Sequence, residues 1–189
     1  MGTGAFWNLP SSEPKRQHRF LVDLSNLTSE DGADAYKRYL AKSATKPGFT
    51  ISSTEHKFLG NTYYYPGTVT WDEVTITFIN SIDPDGNKLL YDALGKSGYL
   101  RPDQQAAANN QNQPFSTVNK TDALNALGEV SITELDGAGD EVGFWVLKNA
   151  FITGAKFGDL DYTGDELLNV EVTIRYDWAN YRRNSAAIV

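Results

Sequence analysis

Leu168-Asn169-Val170-Glu171-Val172-Thr173-Ile174-Arg175-Tyr176-Asp177-Trp178 is the stretch that decides the fold class. Apolar and polar residues alternate along it without a slip. Leu168, Val170, Val172, Ile174, Tyr176 and Trp178 share one face; Asn169, Glu171, Thr173, Arg175 and Asp177 share the other. A period of two belongs to a strand, because successive side chains point to opposite sides of the pleat. The pattern predicts one long strand with one face in a core and one in water.

Working outward, the same period returns. Val74, Ile76 and Phe78 alternate with Thr75, Thr77 and Ile79, while Trp71 is out of phase, so Asp72-Glu73 reads as a bulge. Phe20, Val22 and Leu24 give a first strand, and Val130 and Ile132 another, ending before a Gly137-Ala138-Gly139 turn. Val142, Phe144 and Val146 alternate with Trp145 and Leu147, which makes that strand apolar on both faces; it requires cover on both sides, from this chain or another. Residues 151–157 read as strand or bend, and 35–44 as strand or short helix. Asp83-Pro84-Asp85-Gly86 opens a helix, with Asp83 as N-cap, Pro84 in the first position and Leu89, Leu90, Ala93 and Leu94 on the apolar face. Gly95 and Gly98 end it. The expectation is a mainly β domain of seven or eight strands, a closed or nearly closed β-sandwich/barrel with one α-helix.

A chain of 189 residues, 40% hydrophobic, suits a single domain with a real core. Residues 1–17 read as an arm carrying Phe6, Trp7 and Leu9, residues 18–180 as the domain, and 181–189 as a tail. Two excursions interrupt the domain. Residues 49–66 form a polar hairpin turning at Gly60-Asn61; residues 101–126, with the run from Gln104 to Gln113, form a long polar loop.

Composition removes most chemistry. There is no cysteine, hence no disulfide, thiolate metal site or thiol nucleophile. The two histidines, His18 and His56, sit in no nucleophile-base context, and no phosphate-binding, dinucleotide or nucleophile-elbow motif occurs. Asp83, Asp85 and Asn87 have calcium-loop spacing, but the sixth and twelfth positions are Lys88 and Leu94, so the motif fails. Asp159, Asp161, Asp165 and Glu166, like Asp136, Asp140 and Glu141, read as solvated acidic turns rather than cation sites. The expectation is a protein that is not an enzyme and needs no cofactor or metal. No leader and no membrane span are expected either, and the sequons at Asn26 and Asn119 then carry nothing.

Net charge is −7 but uneven: residues 1–60 hold eight basic and six acidic side chains, residues 61–189 nine and eighteen. An acidic chain does not clamp nucleic acid, and the asymmetry permits attraction between copies. Tyr63-Tyr64-Tyr65 sharpens that point. On a strand, three consecutive aromatics place rings on both faces, which a protruding hairpin cannot bury by itself. Tyrosine suits interfaces because its ring packs while its hydroxyl stays bonded. Phe49, Phe58, Tyr63, Tyr64 and Tyr65, with Phe6 and Trp7 of the arm, are therefore the candidate interface residues.

The order of parts resembles a known family. An arm leads to Phe20-Leu21-Val22-Asp23-Leu24; a long polar hairpin ends in Tyr65-Pro66-Gly67; the strand Trp71 to Asn80 leads through an Asp-rich turn to a helix; a Gly/Asn/Gln-rich loop leads to the last strands, which close on Tyr176-Asp177-Trp178. This is similar to the tail tube proteins of contractile-tailed bacteriophages and, more distantly, to pyocin and type VI secretion tubes. The resemblance implies hexameric rings stacked into the inner tube of a phage tail, part of the virion, assembled in the host cytoplasm. Its implied partners are further copies of itself, the tail sheath, and baseplate and terminator proteins; genome DNA passes through without specific binding. It implies an acidic lumen, with Asn169, Glu171, Thr173, Arg175 and Asp177 facing the channel. Two other readings stand beside it: a tube of a secretion or injection system, and a monomeric β-sandwich module that binds carbohydrate or another ligand.

Overall fold

The computed structural model describes residues 14–27, 40–104 and 117–184. Among the described residues, ten strands and two helices follow in the order β1 (Phe20–Leu24), β2 (Ala41–Ala44), β3 (Phe49–Phe58), β4 (Asn61–Trp71), β5 (Val74–Ile79), α1 (Gly86–Lys96), α2 (Lys120–Leu127), β6 (Val130–Leu135), β7 (Glu141–Lys148), β8 (Phe151–Lys156), β9 (Asn169–Arg175) and β10 (Trp178–Arg183). They build a four-stranded sheet β2-β5-β9-β8, a second four-stranded sheet β1-β6-β7-β10 and a separate two-stranded ribbon β3-β4. Every strand pairing is antiparallel.

The alternating stretch does its expected work at the centre of the first sheet. Val170, Val172 and Ile174 pair across with Phe78, Ile76 and Val74, and all six are fully buried. Each side chain removed from water in this way contributes about 1.5–3 kcal/mol. The second sheet answers with Val22, Leu24, Val130, Ile132 and Leu147, and α1 closes the same core with Leu89, Leu90 and Ala93. A mainly β sandwich results.

Closure into a barrel does not occur. β2 and β8 border one sheet and β1 and β10 the other, each bonded on one side only among the described residues.

The long terminal strand is also two strands. β9 stops at Arg175 in one sheet and β10 starts at Trp178 in the other. Asp177 makes the corner: its N–H donates to the Lys148 carbonyl at 3.0 Å and its carboxylate receives Lys120 and Asn149. Turning the chain there leaves Tyr176 in the core but carries Trp178 out, 45% exposed, against the pattern. Because β10 runs on to Arg183, the expected tail from 181 begins later.

Three local expectations change for similar reasons. Asp85, not Asp83, caps α1, accepting from the Asn87 N–H at 2.9 Å, while Asn80 Oδ1 takes the Gly86 N–H at 3.1 Å. With the first free N–H groups met there, Pro84 stays in the preceding turn. Asp72-Glu73 is not a bulge but the short link between β4 and β5. The stretch 101–126 contains the second helix, α2, so the expected single helix and unbroken loop are both overturned. Asn119 and Asp122 fix its start reciprocally: the Asn119 side chain accepts from the Asp122 N–H at 2.9 Å and donates to the Asp122 carboxylate at 2.6 Å. Gly128, at φ 73°, ends it.

Candidate assembly surfaces

The ribbon β3-β4 stands apart from both sheets. It is longer than the expected 49–66, because β4 continues to Trp71. Every residue of both strands is exposed except Trp71. The register pairs His56 with Tyr63, Glu55 with Tyr64 and Thr54 with Tyr65. Tyr63 and Tyr65 therefore share one face with Phe58, and Tyr64 lies on the opposite face. Phe49 packs edge-on against Trp71 at 5.5 Å, and Trp71 meets Tyr176 at 6.0 Å, which ties the root to the core. Ile51, Val69 and Leu59 add further exposed apolar surface, Leu59 being 83% exposed at the tip. A two-residue turn closes the tip with Leu59 at φ 47° and Gly60 at φ 80°, the doubly left-handed geometry of the common hairpin turn. Gly67 lies beside a register shift, where a Cβ would fall 2.4 Å from Ser52 Oγ. The predicted interface residues Phe49, Phe58, Tyr63, Tyr64 and Tyr65 thus fall on one uncovered ribbon; Phe6 and Trp7 lie outside the described residues.

The outward face of the first sheet is polar. Asn169, Glu171 and Thr173 of β9 lie on it with Thr75 and Thr77 of β5, and Arg175 ends the row. Its carboxylates are paired. Lys156 bonds Glu171 at 2.6 Å, Arg175 bonds Glu73 at 3.3 Å, and Lys42 reaches Asn169 at 3.4 Å. The Lys156 ammonium is held above its ordinary pKa by the bond to Glu171. Three cations and two anions make this face near neutral rather than acidic. The acidic excess lies in the turns instead: Asp136 and Asp161 are each held below the ordinary carboxylate range by backbone N–H donors. Asp177 occupies the corner after β9. Lys120 and Asn149 bond it and lower its pKa, so its carboxylate fastens α2 to the β9-β10 turn.

Sequence reading missed Lys120 and Asp177 as partners, since they are 57 residues apart. It also missed the joint role of Lys15, Lys46 and Glu134. Among the described residues, no group of three or more His, Asp or Glu is placed to hold a metal ion, and no helix is long and apolar enough to cross a membrane.

The overall fold is similar, over most of the chain, to that of chains in solved contractile assemblies. One similar chain belongs to the anti-feeding prophage cap, the tube-terminating cap, with a TM-score of 0.56, 17% identity, and 91% of this chain and 93% of that chain covered. A chain in the six-fold symmetrised anti-feeding prophage baseplate has a TM-score of 0.57 at 16% identity, covering 90% of this chain and 97% of that one. A chain in the sheath-tube complex of an extracellular contractile injection system, in its extended state, has a TM-score of 0.55 at 16% identity, covering 90% and 93%. No family model matches the sequence, and no curated protein matches it; the likeness is one of backbone and not of residue identity.

Proposed function

We propose that this chain is the structural subunit of the inner tube of a contractile tail, six copies to a ring and rings stacked end on end. The observation that carries the reading is the ribbon Phe49–Trp71, fully paired within itself yet uncovered on both faces. An isolated two-stranded ribbon is marginal in water, and this one exposes five aromatic rings and three aliphatic side chains. Its cover is a neighbouring copy, within or between rings. The borders β2 and β8 supply the second joint: among the described residues each is bonded to a strand on one side only, and pairing β8 of one copy with β2 of the next continues the sheet around a ring. Such heterologous contacts close by rotation and stack without limit.

In this arrangement the polar face of the first sheet lines the channel, with Asn169, Glu171, Thr173 and Arg175 pointing inward and Asp177 at its rim. Its passivity toward a passing polyanion comes from pairing and not from net repulsion: Lys156 and Arg175 are engaged by carboxylates and offer no free cationic stripe to phosphates. In a phage tail the cargo is genome DNA and the particle a virion, with sheath, baseplate and terminator as partners. A second reading, the tube of an extracellular injection particle, is favoured by the similar chains, which come from such particles.

Electron microscopy of the concentrated protein tests the proposal. Hollow filaments are expected from the native chain and none from the triple variant Tyr63→Ser, Tyr64→Ser, Tyr65→Ser. A native chain that sediments as a monomer at millimolar concentration overturns it, and so do normal tubes from the triple variant.

A further inference from the structure

Glu134 of β6 is buried, 7% exposed, and charged. Two ammonium groups meet its two oxygens, Lys46 on Oε1 and Lys15 on Oε2. Lys15 lies in the segment that enters β1. Lys46 lies in the link between β2 and β3, at the root of the ribbon. Lys15 also donates to the Tyr181 hydroxyl at 3.1 Å and sits 5.6 Å from the centre of that ring, which packs on Trp145 at 5.0 Å. One carboxylate thus joins the incoming segment and the ribbon root to the second sheet. Burial alone would raise its pKa; the bonds from Lys15 and Lys46 outweigh burial and keep it below the ordinary value.

The other ties of the root run elsewhere. Thr45 N–H donates to the Thr75 carbonyl at 2.9 Å, Thr75 N–H donates to Thr45 Oγ1 at 2.7 Å, and Asp72 N–H donates to the Gly48 carbonyl at 2.9 Å. These hold the root to β5 and to its own ribbon, whereas Lys46 braces it across to the second sheet. Leverage makes the brace matter. At about 3.4 Å per residue a ten-residue strand is about 34 Å long, so a tilt of about 10° at the root moves the tip by about 6 Å. A displacement of that size breaks side-chain register with any neighbour.

We propose that Glu134 is the positioning residue of the assembly ribbon: it fixes the ribbon's angle through Lys46 and separately fastens the segment entering β1 through Lys15. Lys15 and Lys46 are themselves half-exposed, but an ion pair made on a buried carboxylate can hold one conformation among several. The consequence for assembly rests on the tube reading; the positioning within a single subunit does not.

The chain has no cysteine, so spin labels at Leu59→Cys and Asn180→Cys report the ribbon's angle by electron–electron distance measurement. The background with intact Glu134 should give a narrow distribution. Glu134→Gln and Lys46→Met should each broaden it at least twofold and, in unlabelled chains that keep Leu59, cut tube yield at least tenfold. Lys15→Met should leave it narrow while raising amide exchange at 16–19 at least tenfold. Lys46→Met keeps its aliphatic stem and leaves Lys15 on Glu134, so it decides the matter even if Glu134→Gln fails to fold. A distribution as narrow in Lys46→Met as in the background overturns the proposal, and full tube yield beside a broadened one overturns its link to assembly. If the native chain forms no tubes, the tube reading fails while the distance measurement still decides the role of Glu134.

Discussion

The pair β5-β9 and the ribbon β3-β4 are both antiparallel, both rich in β-branched or aromatic residues, and entirely different in what holds them. In β5-β9 the apolar residues fall on one face, in register, and six side chains vanish from solvent together. In β3-β4 the register holds on either side of one shift between Ile51 and Ser53, but aromatic residues fall on both faces and almost nothing is covered. Backbone pairing is common to the two and therefore does not explain the stability of either. The difference teaches that one pair is completed by its own chain, whereas the other is left exposed and, under the proposed function, is completed by a second copy.

The hardest test of that contrast is a core truncation. Phe78→Ala should cost about 3–5 kcal/mol, the range for removing a buried phenylalanine, measured as a lowered denaturant midpoint with an unchanged slope. Replacing Tyr63, Tyr64 and Tyr65 with serine removes more ring carbon, yet should move the monomer's unfolding free energy by no more than about 0.5 kcal/mol per site, while abolishing filaments. Large destabilisation of the monomer by the triple change would mean that the ribbon is covered within the subunit. Between these extremes lies the cap of α2: Asn119→Ala should cost about 1 kcal/mol and be seen in urea unfolding, with Asn119→Asp close to native.

The smallest expected effect is a dependence on pH. Hydrogen bonds hold Asp177, and the two lysines hold Glu134, below their ordinary values. Their stabilisation is present above roughly pH 4, the unfolded-state range, and is lost as pH falls through the depressed folded values. Stability should decline over that acid window, less steeply in Asp177→Asn. An identical slope in native and variant chains would remove Asp177 from the account.

Much of the fold was legible because the core strands announce themselves locally. Val74, Ile76 and Phe78, then Val170, Val172 and Ile174, needed only a period of two, and the uncovered ribbon was visible in Tyr63-Tyr64-Tyr65. The corner at Asp177 was not, since alternation continues through Tyr176 to Trp178 while the backbone turns between sheets; only the distant groups Lys120, Lys148 and Asn149 make the turn. Helix α2 did carry a local sign, Asn119 three residues before Asp122 with Gly128 beyond, but it stands beside a low-complexity run that drew the reading toward loop. Of the surfaces, the composition of the polar wall was legible and its charge pairing was not, because Glu73 and Arg175 are 102 residues apart. The Glu134 hub has no local sign at all.

Leu59 has one more consequence. A leucine in the left-handed region is strained, whereas glycine or asparagine sits there readily. Exchanging it for asparagine should relax the bend and give a sturdier lone subunit, at the expense of the greasy knob that the bend holds forward. A screen rewarding heat resistance of the purified chain would thus drift toward proteins that no longer polymerise. The residue that makes the solitary molecule worse is, under the proposed function, the one its neighbours need.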